Sequence, residues 1–301
     1  MNRKLIAAVC TLAMTASVST AFAENRQDPS HAPEAMNLEL ETYRNTAVGG
    51  VLSATDPDGD TLTFTLTTEP MKGSVEVCDD GTFTYTPGEN KKGKDYFGFK
   101  ATDPEGNTSE EGTVLIRIQK QKTGVTYADL EGRAEGCAAV TLAEQGVYVG
   151  SCVAGSWLFG PEQTVSRGEF LAMCLAASGD PVLQGVMSTG FGDDTAIPAW
   201  AKRYVSTGRM YGTVCGYSDG TRIVFDSERP VTHAEAAVIL DRLVKPEAVS
   251  FTLTEAVPAW AEQAVANLTA KDVYPVSAGS EQPLTRAEAA VMLVKAMDMM
   301  G

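Results

Sequence analysis

Between residues 36 and 119, apolar and polar positions alternate in short runs. Leu62-Thr63-Phe64-Thr65-Leu66 and Thr82-Phe83-Thr84-Tyr85-Thr86 have period two, which puts alternate side chains on opposite faces of a strand. Gly, Pro and Asp clusters separate the runs, and Asp79-Asp80-Gly81, between Val77 and Thr82, suits a tight hairpin turn. About seven strands in this length predict one β-sandwich. From residue 125 the apolar positions recur at helical spacing instead, in a pattern that returns about every 50 to 65 residues.

The repeat is explicit in the residues. Pro198-Ala199-Trp200-Ala201 returns as Pro258-Ala259-Trp260-Ala261, each ahead of an apolar-periodic helix. Val231-Thr232-His233-Ala234-Glu235 returns as Leu284-Thr285-Arg286-Ala287-Glu288, with a looser copy at Val165-Ser166-Arg167-Gly168-Glu169. Three helix-loop-helix units are therefore expected. The first opens at Tyr127-Ala128-Asp129, the second at Phe191-Gly192-Asp193, and the third less distinctly at Phe251-Thr252-Leu253.

Ser or Thr followed three places later by Glu is a capping box, so Ser166, Thr232 and Thr285 should open helices, with Glu169, Glu235 and Glu288 reaching back. Val165, Val231 and Leu284 stand where a hydrophobic staple packs. Capping leaves the arginine unexplained, because a cation in the first turn meets the positive end of the helix dipole. Backbone N–H groups, the dipole and a guanidinium fork together make a carboxylate-binding corner at Arg167 and Arg286. A lone arginine would more simply pair with a surface acid; recurrence favours the corner.

Composition shifts mark the boundaries. Residues 1–23 read as an export signal, with Arg3 and Lys4 ahead of an apolar run and Ala21-Phe22-Ala23 at the cleavage site. That run is too short to span a bilayer, and no later segment comes closer, so no membrane span is expected. A disordered leader at 24–35, a sandwich at 36–119 and a linker at 120–126 follow, then units at 127–179, 190–245 and 250–300. Net charge is −15, and becomes −17 without Arg3 and Lys4. Such a chain repels nucleic acid and anionic membrane. An anionic ligand must be caught by individually placed cations.

Five cysteines lie beyond residue 23: Cys78, Cys137, Cys152, Cys174 and Cys215. No Cys-x-x-Cys pair occurs and the chain has two histidines, which argues against zinc. One disulfide and none are equally open. Asp56, Asp58 and Asp60, with Asp103 in an echoing turn, offer oxygen ligands for Ca²⁺. An acidic turn explains the same residues without an ion and is preferred, the EF-hand ligand pattern being absent. Neither His31 nor His233 sits near a Ser or Cys motif, so no catalytic constellation emerges and no enzyme is expected. A hydrolase acting on wall polysaccharide is the opposing reading.

Ala54-Thr55-Asp56-Pro57-Asp58-Gly59-Asp60, echoed by Ala101-Thr102-Asp103-Pro104-Glu105-Gly106, resembles bacterial immunoglobulin-like or cadherin-like modules of surface proteins. The aromatic-x-Asp opening, the Trp helix, the Gly216-Tyr217-Ser218-Asp219-Gly220 loop and the Thr-Arg-Ala-Glu helix start resemble, in order and spacing, the S-layer homology module. The two resemblances imply a multidomain chain, an all-β Ig-like sandwich followed by an all-α trimer of S-layer homology modules around a pseudo-threefold central helix bundle. They imply a secreted protein held to the cell wall or S-layer by secondary cell-wall polysaccharide or peptidoglycan, the family ligand being pyruvylated. The partner of the Ig-like domain stays open. An outer membrane tethered to peptidoglycan-linked polymer is a further reading.

Carried onto this chain, the resemblance implies ligand binding by Arg167 and Arg286, with Asp129 and Asp193 lining grooves. Trp200 and Trp260 could stack on sugars, although their helical spacing favours the core. His233 replaces arginine in the second unit and, neutral, clamps a carboxylate poorly. The third unit is shorter and lacks the Gly-Tyr-x-Asp-Gly loop, while the first has Val153 and Ala154 in place of Asp219 and Gly220. Fewer than three competent grooves are therefore expected.

Overall fold

The computed structural model describes residues 31–253, 256–275 and 279–300. The expected export signal and the leader up to residue 30 lie outside them. The chain forms two compact units: one reaches to Thr126 and takes in Glu131–Cys137, the other comprises Tyr127–Leu130 and the chain from Ala138 onward.

The first unit is built of strands. β2 (Leu38–Tyr43), β9 (Gly112–Gln119), β8 (Gly93–Thr102) and β5 (Thr63–Thr68) form a four-stranded sheet in that order, β2 lying parallel to β9. β3 (Val48–Val51), β7 (Thr82–Pro87) and β6 (Gly73–Val77) form a second sheet. The period-two pattern decides what is buried: Phe83 and Tyr85 of β7 turn inward, as do Phe97 and Phe99 of β8 and Val114, Ile116 and Ile118 of β9. Phe83 and Phe97 meet edge to face, with centroids 5.2 Å apart. The predicted hairpin turns at Gly81, where φ is 85° and a side chain would strain the backbone; the Asp80 carboxylate accepts the Thr82 N–H at 2.9 Å.

Two short strands were not legible as alternation. β1 (Glu34–Met36) pairs antiparallel with β4 (Ser53–Thr55), so ordered structure begins inside the stretch expected as leader. Three residues are too few to show a period. No disulfide joins the five cysteines: Cys78, Cys152 and Cys215 are exposed, Cys174 is buried, and the Cys137 thiol lies 3.3 Å from the Glu41 carbonyl.

The second unit is mainly helical: α1 (Gly136–Glu144), which belongs to it from Ala138 onward, α2 (Arg167–Ser178), α3 (Ala199–Met210), α4 (His233–Val244), α5 (Glu262–Thr269) and α6 (Arg286–Met297). The expectation of an all-α region needs correction, because β10 (Ser151–Val153) pairs with β11 (Ser156–Leu158) and β12 (Tyr217–Ser218) with β13 (Ile223–Val224). Gly150 and Gly216 enter these hairpins with φ of 75° and 70°. A Cβ at either would strike a carbonyl across the hairpin, Leu158 O or Val224 O, and crowd the ring of Tyr127 or Phe191. The first hairpin turns without the Asp-Gly pair, through Ala154 and Gly155 at φ of 50° and 86°.

Ser166, Thr232 and Thr285 form complete capping boxes with Glu169, Glu235 and Glu288. The residues before them do more than staple. Val165, Val231 and Leu284 are fully buried and close a ring of backbone hydrogen bonds: Val165 N donates to Leu284 O at 3.0 Å, Leu284 N to Val231 O at 2.8 Å, and Val231 N to Val165 O at 2.9 Å. Every buried backbone donor and acceptor of the three residues is thereby paired. Behind the ring α2, α4 and α6 pack on one another, and their buried residues include Phe170 and Leu175 of α2, Ala236, Ala237 and Leu240 of α4, and Ala289, Ala290 and Leu293 of α6. Alanines at these positions let the helices approach closely. No helix among the described residues is long and apolar enough to cross a membrane.

Candidate functional site

The helix starts are knitted to the loops of their neighbours. Arg167 N donates to Arg229 O and Gly168 N to Ser227 O; His233 N donates to Gln282 O and Ala234 N to Ser280 O; Arg286 N donates to Gln163 O and Ala287 N to Pro161 O, all at 2.8 to 3.1 Å. With the capping oxygens taking the third N–H, few first-turn donors remain for a ligand. The carboxylate corner read from sequence is therefore occupied by protein carbonyls.

Side chains follow the same pattern. Arg167 Nε donates to Phe225 O at 2.9 Å, and its Nη1 meets Glu235 at 3.0 Å with both side chains largely buried. Arg286 donates to Phe159 O at 2.8 Å and to Gln163 Oε1 at 2.7 Å, with its guanidinium 5.3 Å from the Tyr148 ring centroid. Among the described residues no carboxylate pairs with Arg286, so its charge is uncompensated where that of Arg167 is not. His233 takes the third position, 1 % exposed, with Nδ1 3.0 Å from Gln282 O and Nε2 3.4 Å from Glu288.

Beside Arg167 a cleft of about 610 Å³ opens in the second unit. One face of α4 lines it through Glu235, Val238, Ile239 and Arg242, with Thr213 to Tyr217 along another wall and Arg229 and Trp260 also at its surface. Glu235 Oε1 also accepts from Arg229 Nη2 at 2.6 Å, and Arg229 reaches Asp226 at 3.2 Å. Tyr217 donates to Asp226 at 2.8 Å, and the Arg167 and Arg229 guanidiniums lie 6.0 and 5.6 Å from its ring, within cation–π range. Burial raises the Glu235 pKa, but Arg229 and Arg167 outweigh it and hold the carboxyl below its ordinary value. Burial draws the Arg167 pKa down, with Glu235 opposing the fall. Three arginines and one glutamate thus line a cleft in a chain of net charge −15.

Several residues picked from sequence have other work. Asp129 accepts from Phe159 N at 2.9 Å and Gly160 N at 2.7 Å; Asp193 accepts from Phe225 N at 3.0 Å and Asp226 N at 2.8 Å. Both pin the hairpin exit beneath an aromatic pair, Tyr127 with Phe159 and Phe191 with Phe225. Trp200 and Trp260, expected in the core, are 47 % and 61 % exposed. Ala201 and Val205 of α3 are buried, as are Ala261 at the entry to α5 and Val265 within it, and the tryptophan before each alanine turns outward. Trp260 lines the cleft; Trp200 stands beside Tyr204, 6.4 Å between centroids.

Arg229, Arg242 and Tyr217 were not singled out from sequence. Arg229 carried a signal, since the equivalent backbone acceptors in the other two loops are Gln163 and Gln282. Arg242 carried none, being one of many surface cations on helices.

In the first unit, ligand atoms of Asp56, Asp58 and Asp60 lie within 4.8 Å of one another. Asp56 Oδ1 accepts the Asp58 and Asp60 N–H groups at 2.9 and 3.2 Å, and Asp58 Oδ2 meets His31 at 2.6 Å. Asp103 accepts from the Asn107 backbone and side chain, each at 2.8 Å. Turn hydrogen bonds thus engage Asp56 Oδ1 and both Asp103 oxygens, and His31 takes Asp58 Oδ2. Asp56 Oδ2 alone is buried without a partner, so the donor set suits a cation only in part.

A comparison with curated proteins finds no match. Among solved structures, partial likenesses are found to an endo-fucoidan hydrolase of glycoside hydrolase family 107 (21% identity, TM-score 0.26, 31% of this chain and 14% of that one). Others are the SrpA adhesin from Streptococcus sanguinis (16%, 0.27, 35% and 65%) and human protocadherin-24 EC1-2 (15%, 0.26, 30% and 45%). The chain thus spans a small part of the hydrolase, and these likenesses carry no functional argument. Family models match in two places. The chain carries a bacterial cadherin-like domain at residues 28–120 and an S-layer homology domain at residues 190–237.

Proposed function

We propose that this chain is a non-enzymatic, exported surface protein that anchors itself to the cell wall through three S-layer homology modules, at 127–179, 190–245 and 250–300. In this reading the modules form a pseudo-threefold unit around α2, α4 and α6, and the ring of Val165, Val231 and Leu284 supports that symmetry. The ligand is an acidic, pyruvylated secondary wall polysaccharide. The cadherin-like domain is a spacer or adhesion module.

The observation that carries the proposal is the arginine-lined cleft with Tyr217 and Trp260 on its walls. An overall acidic protein gathers cations at one concave place beside exposed aromatic rings, the combination that holds a carboxylate and a sugar face together. Arg286 beside Tyr148 is the second grip. His233 leaves the third seam without a permanent cation.

Co-sedimentation with purified sacculi tests the reading. The wild-type chain pellets and is released by free wall-polymer fragments. Trp260→Ala, which removes an exposed side chain, weakens pelleting without lowering thermal stability. A chain that stays in the supernatant, or pelleting indifferent to competing fragments, contradicts it.

A further inference from the structure

We propose that the acidic group of the ligand in this cleft is held by Arg242, not by the helix-start Arg167. The proposal rests on the wall-polymer reading and assigns the specificity-determining residue within it.

Charge accounting at the two ends of the cleft leads there. At the α4 start, Arg167 and Arg229 share Glu235 Oε1 at 3.0 and 2.6 Å, and Arg229 also meets Asp226 at 3.2 Å. Two guanidiniums face two carboxylates, so this end is neutral. The Arg167 fork is also spent on Phe225 O and is 6% exposed. Arg242 lies seven residues along α4 from Glu235, which is two turns and about 10 Å on the same face. It is exposed and lines the cleft. Among the described residues it makes no ion pair; its one polar contact is Nη1 to Cys215 Sγ at 3.4 Å. Arg242 is therefore the cleft's uncompensated cation. A carboxylate arriving there gains a guanidinium fork with no protein acid to displace. At Arg167 it would first have to displace Glu235. Arg167 is then a positioning residue that holds the loop carrying Tyr217 and Phe225.

Cys215 makes the test direct, because its exposed thiol sits against Arg242. The full chain is alkylated with N-ethylmaleimide in the presence of galacturonate or of galactose, and the rate at each cysteine is followed by peptide mass mapping. Galacturonate is expected to slow alkylation of Cys215 several-fold, while galactose does not and the exposed Cys78 and Cys152 are unaffected. In Arg242→Gln, measured with and without galacturonate, the protection disappears and sacculus binding falls about tenfold. Arg242→Lys, which keeps the charge and loses the fork, recovers part of both. Protection that persists in Arg242→Gln overturns the assignment, as does its absence from the wild type. If wild-type sacculus binding survives either result, wall attachment stands and only this subsite falls. A wild-type chain that leaves sacculi in the supernatant removes the attachment reading itself.

Discussion

Arg167 and Glu235 meet at 3.0 Å with side-chain exposures of 8% and 16%, joining the start of α2 to the start of α4. Breaking a buried pair from one side is costly, although here Arg229 still holds Glu235 at 2.6 Å. Arg167→Ala is expected to cost about 3 kcal/mol, the low end for a buried pair because Glu235 keeps some solvent. Urea denaturation of the helical signal would show it; a variant within ~0.5 kcal/mol of wild type would contradict the account. Loss of wall binding in Arg167→Ala is thus not by itself a sign of ligand contact.

Acid should loosen the helical unit. Glu235 and Glu288 are each raised by burial but held lower on balance, Glu235 by Arg229 and Arg167, Glu288 by the Thr285 cap and His233. Asp194 is depressed chiefly by its hydrogen bond from Lys202. For a carboxyl whose folded pKa lies below its unfolded value, the stabilisation is complete above the unfolded value, 4.5 for Glu and 3.8 for Asp. It is lost as pH falls through the folded value. The melting temperature of the helical signal is expected to hold between about pH 5 and 7 and to fall below about 4.5. Glu235→Gln should flatten part of that fall. A melting temperature constant down to pH 3 would exclude these pairs as contributors.

Gly168 occupies the place held by Ala234 and Ala287 in the other two helices. A Cβ there would run into Ser227 Oγ. Alanine is the better helix former by about 1 kcal/mol, yet overpacking against a buried neighbour costs about 1–3 kcal/mol. Gly168→Ala is expected to lower the melting temperature, and adding Ser227→Ala to restore it. Stabilisation by the single substitution would show that the seam has slack.

Trp200 and Trp260 offer a contrast. Both are exposed, so neither alanine variant should change stability by more than about 0.5 kcal/mol. Only Trp260 lines the arginine cleft. Sacculus binding should therefore drop with Trp260→Ala well before it drops with Trp200→Ala when the Arg286 site is intact. Equal losses would mean that the polymer runs across both surfaces.

Local chemistry was the most legible part of the sequence. Capping boxes at Ser166, Thr232 and Thr285 need only a hydroxyl and a glutamate three places apart, and the turn at Gly81 needs only its positive φ. What the boxes join is not local. The ring through Val165, Val231 and Leu284 pairs residues far apart in the chain, and no spacing encodes it. Two misreadings share that cause. Arg167 looked free because Glu235 stands 68 places away, and the helix-start N–H groups looked open because their acceptors belong to other loops. Helical spacing and size favour the core for the tryptophans, yet the buried neighbours Ala201 and Ala261 show which face turns inward. Arg242 matters for what is missing around it, and a sequence does not show that.

The most direct test of the central claim compares two surfaces and leaves the protein unaltered. Binding isotherms of the wild-type chain are measured on native sacculi and on sacculi stripped of pyruvyl ketals by mild acid. If the cationic cleft grips an acidic polymer, affinity for the stripped wall falls at least about tenfold, the loss of one charge-assisted contact. Equal affinity for both walls would contradict it.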